Sequence, residues 1–253
     1  MEKGPKRRHW WMYILIFFVS QLSAAIIPIV LSIVSQEPIL NGEWTIVLTL
    51  LIANLLAIIL FLLYRPQDVT WQSTWAGVQG RNGHRTGLVF LMAIPVIVIV
   101  NILQEALFPE LPDWVGDETF KAIMYNPVGL LTVAILGPLS EELLFRGGVQ
   151  GNLKKSFILY AALIFSVCHL NPAQMPAAFI LGLLLGFAYW WTGSLMAPVC
   201  IHIFNNSSAC VLAFLSPDND SLIQFLGGPL EAGIAVTVSL LLFCLLVYRI
   251  RRK

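Results

Sequence analysis

Residues 140–147 read Ser140-Glu141-Glu142-Leu143-Leu144-Phe145-Arg146-Gly147 and close an apolar run that begins near Pro127. A charged side chain at the centre of a bilayer costs about 2.5–3.5 kcal/mol on insertion scales, so two carboxylates there have a partner or a use. On a helix, Glu142 and Arg146 are four residues apart and can pair on one face. Glu141 is turned about 100° away from Glu142, which predicts that it faces a different neighbour.

The composition is that of a polytopic membrane protein. The 253 residues are 58% hydrophobic and only 11% charged, whereas a soluble domain carries about 25% charged residues. The four cysteines all lie within apolar runs, which indicates buried thiols rather than a disulfide framework. The net charge of +1 gives no reason to expect a nucleic-acid partner, and membrane lipid is the expected surrounding.

Eight apolar stretches are predicted to cross the membrane, at about residues 10–34, 44–63, 87–108, 127–146, 157–170, 177–191, 195–215 and 228–248. Basic residues flank them before the first stretch, between the second and third, after the fourth and after the last. The positive-inside rule places these segments and both termini in the cytoplasm. The prediction is an all-α membrane bundle of about eight transmembrane helices that forms a single domain over residues 1–253.

Three further polar residues are predicted at membrane depth. His169 ends the fifth stretch, while His202 and Asn206 are four residues apart and share a face of the seventh. A rise of 1.5 Å per residue from the assumed helix starts puts Glu141, His169 and His202 in the middle or inner part of the bilayer core. These residues can therefore converge on one site that opens toward the cytoplasm.

Such a set of side chains can hydrolyse an amide without a nucleophilic serine or cysteine. A carboxylate beside an imidazole polarises a water molecule and takes its proton. A second histidine and an asparagine amide can donate hydrogen bonds to the oxyanion, and one such donor is worth about 2.7–4 kcal/mol in other enzymes. Alternatively, Glu141, His169 and His202 can hold zinc with a water in the open position, although the sequence has no HExxH motif.

Other interpretations stay open at this point. Glu142 and Arg146 can be a pair that only stabilises the bundle, and a lone intramembrane His or Asn that bonds to a backbone carbonyl is ordinary. A non-catalytic immunity or binding protein would keep the same residues for their shape. A small ion-coupled transporter would use Glu and His as a proton relay, but the sequence shows no inverted repeat.

Three motifs occur in order, Glu141-Glu142-x-x-x-Arg146, Phe165-x-x-x-His169 and His202-x-x-x-Asn206. They resemble the motifs of the CAAX-protease and bacteriocin-processing family of intramembrane endopeptidases, which includes the type II prenyl-protein (Ras-converting) protease. The resemblance is carried by residues 127–215. It implies eight helices around a conical cavity that is reached from the cytoplasm or from the membrane.

The resemblance also implies roles for the motif residues. It assigns Glu141 and His169 to the activation of water. It assigns His202 and Asn206 to the oxyanion site. Members are often called metalloproteases, and a metal-free glutamate mechanism is also argued for the family. We favour the metal-free version without a cofactor, because an asparagine amide is a poor zinc ligand and a good hydrogen-bond donor; zinc is the alternative.

The same resemblance gives Glu142 and Arg146 a supporting and orienting role. It implies a peptide or a prenylated or otherwise lipidated protein as the substrate, cut near its C-terminus or within a leader. The compact form and the basic inner loops favour a bacterial plasma membrane as the location.

Overall fold

All regular structure in the described part of the chain is helical. A computed structural model describes residues 9–35, 42–66, 69, 80–153, 157–215 and 221–251. The helices are α1 (Trp11–Ser35), α2 (Gly42–Tyr64), α3 (Gly80–Leu107), α4 (Asp117–Tyr125), α5 (Pro127–Leu153), α6 (Ile158–Cys168), α7 (Met175–Thr192), α8 (Met196–Leu215), α9 (Leu222–Phe225) and α10 (Pro229–Arg251).

The helices agree with the predicted bundle. Six are long and apolar enough to cross a membrane, and Trp11–Ile27 of α1 and Ile158–Cys168 add two shorter apolar helices within the described residues. The predicted all-α, polytopic fold class is confirmed, and the chain is an integral membrane protein. Helix α5 runs past the predicted end at Arg146 to Leu153, and the short helices α4 and α9 were not predicted.

The two ends of the bundle differ in charge. We call the half that contains the beginnings of α1 and α3 and the ends of α2, α5 and α10 the basic half, after its flanking segments. The opposite half, which contains α4 and α9, is the acidic half. Several charges that define this division lie outside the described residues, namely Lys3, Lys6, Arg7, Arg8, Lys154, Lys155, Arg252 and Lys253.

Helix α5 is capped at its start and contains two wide turns. Its first backbone N–H groups are satisfied by Asn126, whose side-chain oxygen accepts hydrogen bonds from Val128 and Gly129. Residues Thr132–Leu136 and Leu143–Gln150 form π-helical turns. Such turns leave some backbone groups without their usual helical partners, and they are frequent at functional sites.

Glycines let α5 pack closely in the basic half. A Cβ atom on Gly148 would lie 2.3 Å from Cγ of Tyr13, and one on Gly147 would lie 2.9 Å from Cζ of Phe61. Small residues permit such close helix contacts in membranes. The resulting core closes this half of the bundle and includes Tyr13, Phe61, Leu144, Phe145, Val149, Phe165, Tyr189 and Leu195.

Candidate active site

Helices α5 and α8 and the end of α6 bring the candidate residues around one cavity. It has a volume of about 540 Å³, and Glu141, His169, His202 and Asn206 all line it. Glu142 and Arg146 do not line the cavity, and both are fully buried behind it. Residues that the sequence places on three different helices thus face the same space.

His202 lies between the two adjacent carboxylates. Its Nδ1 atom is 2.9 Å from Oε1 of Glu142, and its Nε2 atom is 3.9 Å from Oε2 of Glu141. A carboxylate beside a guanidinium accepts hydrogen bonds, so Nδ1 of His202 carries a proton and donates it to Glu142. This bond fixes the ring so that Nε2 points toward Glu141 on the cavity side.

Glu142 and Arg146 form a buried ion pair. Nε of Arg146 is 3.2 Å from Oε2 of Glu142, and neither side chain is exposed. The contact is ionic rather than an aligned hydrogen bond. The guanidinium also donates from Nη2 to the carbonyl of Gly182 at 3.3 Å and lies 4.4 Å from the ring centroid of Phe165. These contacts partly replace the hydration that the two charges lose.

His169 is oriented by its own helix. Its Nδ1 atom is 2.8 Å from the carbonyl oxygen of Phe165, one turn earlier. A carbonyl oxygen can only accept, so Nδ1 of His169 carries a proton and donates it, which leaves Nε2 for other contacts. The buried ring of Phe165 lies edge-on to both histidines, with centroids 4.6 Å from His169 and 5.8 Å from His202. The sequence named Phe165 only as a motif position, and this contact with both rings was not predicted.

Asn206 holds α8 against the first wide turn of α5. The N–H of Gly137 donates to Thr132 five residues back, and Pro138 has no N–H. The carbonyl of Val133 therefore lacks its usual helical donors, and Nδ2 of Asn206 donates to it at 3.0 Å. An amide nitrogen carries two N–H groups, so one donor of Asn206 remains for a ligand in the cavity.

The sequence analysis also missed a polar contact between α2 and α5. Asn54 lines the cavity, and its Oδ1 accepts a hydrogen bond from Ser140 Oγ at 2.5 Å. Its Nδ2 donates to the carbonyl of Leu50 within the same helix. The signal was present, because an amide inside an otherwise apolar span is a rare and costly placement.

Most of the lining residues come from the acidic half of the bundle. On α3 they are residues 96–104, on α5 residues 132–141, on α7 residues 177–184 and on α8 residues 202–210. Glu141 and His202 lie at the end of the cavity nearest the basic half.

The described side chains do not form an evident metal site. No group of three or more His, Cys, Asp and Glu side chains within the described ranges is arranged to hold an ion. The arrangement therefore does not fit the three-ligand zinc set that the sequence left as an alternative, and no step is derived through a metal.

Comparisons with known proteins agree with the motif pattern. A family model described as type II CAAX prenyl endopeptidase Rce1-like matches residues 124–208. The chain is 31% identical over 103 residues to the membrane-embedded CAAX protease MroQ of Staphylococcus aureus, a match that covers 36% of this chain and 42% of MroQ. No solved structure matched the chain.

Two further relatives extend over more of the chain. The putative membrane peptidase YdiL of Bacillus subtilis is 25% identical over 243 residues, which is 86% of this chain and 94% of YdiL. An uncharacterized 24.3 kDa protein of Escherichia coli is 32% identical over 158 residues, which is 56% of this chain and 69% of that protein. Since the family match spans all three motifs that surround the cavity, the chain belongs to the type II CAAX prenyl endopeptidase Rce1-like family.

Proposed function

We propose that this protein is an intramembrane endopeptidase that hydrolyses a peptide bond in its cavity with a water molecule activated by Glu141. The observation that carries the proposal is that Glu141, His169, His202 and Asn206 line one cavity, while the second carboxylate is neutralised outside it. A bundle that needed these groups only for stability would pair both carboxylates. Glu141 instead keeps 24% of its side chain exposed.

The first half of the proposed reaction is attack by water. Glu141 takes a proton from the water, and Nε2 of His169 accepts the other hydrogen bond and holds the molecule in place. The water oxygen bonds to the carbonyl carbon of the scissile peptide, whose oxygen becomes an oxyanion. Glu141 then gives the proton to the leaving amine, so that one water is consumed and two peptide ends are released.

The second part of the proposed mechanism is stabilisation of the oxyanion. The remaining N–H of Asn206 is one donor. Nε2 of His202 is the other, which requires a ring protonated at both nitrogens. The carboxylates of Glu142 and Glu141 lie on either side of this ring. Donors held in place before the reaction cost no reorganisation when the charge develops.

The family membership supports a proposal for the substrate class and for the location. We infer a peptide or a lipidated protein, prenylated or otherwise anchored, that is cut near its C-terminus or within a leader. The cavity lining contains both apolar and polar side chains, which suits an amphiphilic chain. Because the named relatives are bacterial, we propose the bacterial plasma membrane as the location, and we propose that no metal is required.

The test is cleavage of a quenched fluorescent peptide panel, with a farnesylated CAAX peptide included, by purified protein in detergent. Wild type is compared with Glu141→Gln and with Glu110→Gln, an exposed acidic control that does not line the cavity. We expect cleavage by wild type and by the control, but not by Glu141→Gln, with or without a strong chelator.

Two results would change the proposal in different ways. Cleavage that is lost with chelator and restored by zinc would keep the peptidase and overturn the metal-free mechanism. Cleavage that Glu141→Gln retains would overturn the peptidase mechanism itself. If Glu141→Gln also kept the full cellular function, the non-catalytic binding protein would replace the enzyme.

A further inference from the structure

One face of α8 carries a second asparagine beside Asn206. His202, Asn205, Asn206 and Ala209 all line the cavity. They are spaced by three, four and seven residues, so they lie next to one another on one side of the helix. Asn205 and Asn206 are therefore neighbours one turn beyond His202, and both are half-buried. Asn206 belongs to the three motifs, but Asn205 does not.

The two neighbouring amides are joined by a hydrogen bond. Nδ2 of Asn205 donates to Oδ1 of Asn206 at 3.1 Å. Nδ2 of Asn206 in turn donates to the carbonyl of Val133 at 3.0 Å. Asn206 is thus bound through both polar atoms of its amide group, to its own helix on one side and to the first wide turn of α5 on the other.

This contact of Asn205 differs from those of two other asparagines around the cavity. Nδ2 of Asn54 donates to the carbonyl of Leu50, and Nδ2 of Asn101 donates to the carbonyl of Ile97, each at 2.8 Å and one turn earlier in the same helix. Such a bond satisfies the side chain locally. The N–H of Asn205 is instead directed to the side chain of Asn206, a proposed oxyanion donor.

Bonds at both ends fix the plane of the Asn206 amide. An amide held only at Nδ2 can still turn about that hydrogen bond, which changes the direction of its second N–H. The bond from Asn205 to Oδ1 removes this rotation. It also opposes a flip of the amide, which would bring two oxygens together at Val133 and two nitrogens together at Asn205. The second N–H of Asn206 therefore keeps one direction.

The direction of this N–H matters for catalysis. A donor that is already in place costs no reorganisation when the charge develops on the oxyanion. Productive geometry requires that such a group be held within about 0.5 Å and 10–20°. The bond to Val133 alone does not restrict the angle this narrowly, so the bond from Asn205 supplies the second restraint.

We propose that Asn205 is a positioning residue of the peptidase reaction and that it orients the donor N–H of Asn206 toward the oxyanion. The inference rests on the proposed function, because the oxyanion forms only when a peptide bond is attacked in the cavity. An oxyanion donor acts in the transition state and not on the planar carbonyl. Loss of Asn205 should therefore lower kcat and leave KM unchanged.

The first test is the steady-state kinetics of Asn205→Leu and Asn205→Ala in detergent, with a peptide that wild type cleaves. Both substitutions remove the donor to Asn206, and alanine adds no bulk. We expect kcat to fall by about 10- to 100-fold at unchanged KM, which is part of the effect of losing a whole oxyanion donor. A wild-type kcat in both variants would overturn the proposal.

Asn152→Leu is the matched control for these variants. Nδ2 of Asn152 donates to the carbonyl of Gly148 in its own helix at 2.7 Å, and Asn152 does not line the cavity. The control therefore loses an asparagine hydrogen bond of similar length without touching Asn206. We expect its kcat to match that of wild type. A loss of kcat as large as in the Asn205 variants would overturn the proposal, because the effect would then not depend on Asn206.

A double-mutant cycle separates positioning from a general effect on α8. Asn206→Ala alone removes the donor and should lower kcat by about 100- to 1,000-fold. Asn205→Leu should lower kcat no further in this background, because no donor is left to orient. A further loss as large as in the wild-type background would show that Asn205 acts independently of Asn206, and it would overturn the proposal.

The last test measures binding without turnover. A phosphinic peptide carries a tetrahedral centre with an anionic oxygen, whereas a peptide that is N-methylated at the scissile bond keeps the planar carbonyl. We expect Asn205→Leu to bind the phosphinic peptide about 10- to 100-fold more weakly than wild type does, and the N-methylated peptide equally well. Equal weakening for both peptides would overturn the proposal.

Failure of the proposed function gives a different result from failure of this inference. If wild type cleaves no peptide of the panel and binds the phosphinic peptide no better than the N-methylated one, the peptidase fails, and the role of Asn205 fails with it. If wild type cleaves and the Asn205 variants cleave equally well, only the role of Asn205 fails.

Discussion

Two neighbouring carboxylates on α5 have opposite surroundings. Glu141 faces the cavity, is 24% exposed and has the His202 ring nitrogen 3.9 Å away. Glu142 is fully buried, with a guanidinium at 3.2 Å on one side and an imidazole at 2.9 Å on the other. One residue of helical rotation therefore separates a carboxylate that stays available from one that is neutralised.

The same difference holds for the two halves of the bundle. In the acidic half, polar side chains line the cavity. In the basic half, the side chains of Glu142, Arg146 and Gln150 are fully buried in the packed core. Glu142 and Arg146 depend on each other in this packed core, because a buried charge without a partner costs several kcal/mol. The buried ion pair and the carboxylate that faces the cavity are therefore separate features of one helix turn.

The largest expected effect separates the roles of Glu141 and Glu142. Glu141→Gln should lower kcat/KM for peptide cleavage by about 100- to 10,000-fold, since it removes the acceptor of the water proton. Its thermal stability should match that of wild type, because no close ion pair is lost. Glu142→Gln should lower both activity and stability, because Arg146 then lacks its counter-charge. Equal melting temperatures for the two variants would contradict this division.

The next effect concerns the buried ion pair in the basic half. Arg146→Ala leaves Glu142 as a buried carboxylate without its cation, and we expect a loss of about 3–5 kcal/mol in the free energy of unfolding. Denaturation in detergent measures this quantity. Arg249→Ala, at the exposed end of α10, is the matched control and should change stability little. An Arg146→Ala variant as stable as this control would show that the pair contributes nothing.

The sequence was sufficient for the bundle and for the set of residues around the cavity. Hydropathy determines the helices because a membrane requires each span to satisfy its own backbone. The spacing of four residues predicted that Glu142 faces Arg146 and that Glu141 does not. These arguments need only the helical period, so they do not depend on how the helices pack.

The depth of Glu141 along its helix was not predictable in the same way. The fourth span was predicted to end at Arg146, but Gly147 and Gly148 pack inside a longer helix that ends at Leu153. Glu141 therefore lies about 10 Å farther from the basic end than was assumed, at 1.5 Å per residue. The π-helical turns and the Asn54–Ser140 contact likewise depend on tertiary packing, which a hydropathy pattern does not encode.

A smaller effect should appear when the basic half is overfilled. Gly148→Ala puts a Cβ atom 2.3 Å from Cγ of Tyr13, and the overpacking should cost about 1–3 kcal/mol of stability. The kcat/KM of the folded protein should not change, because the cavity lies in the other half. Gly87→Ala is the matched control, since nothing lies within 4 Å of the added atom. A change in kcat/KM without a change in stability would show that the halves are coupled.

The smallest expected effect lies in the acidic half, at the exposed side chain of Asp113. Partial burial raises the pKa of Asp113, but hydrogen bonds from Asn171 and from the N–H groups of Val115 and Gly116 outweigh it and lower the pKa below its ordinary value. The ionised carboxylate therefore stabilises the folded state above the unfolded pKa of about 3.9, and this contribution is lost as the pH falls through the lower folded pKa.

Asp113→Asn tests this contribution by thermal unfolding between pH 3 and pH 7, a range chosen around the ordinary pKa of about 3.9. We expect the variant to melt slightly below wild type at pH 7, and the difference to shrink as the pH falls toward the lowered pKa of Asp113 in the wild type. Glu110→Asn, on the same segment but without these bonds among the described contacts, should show no such trend. A difference that stays constant with pH would mean that the carboxylate does not act through its charge. The hydrogen bond from Asn171 to Asp113 would then hold this segment in place through its geometry and not through the charge.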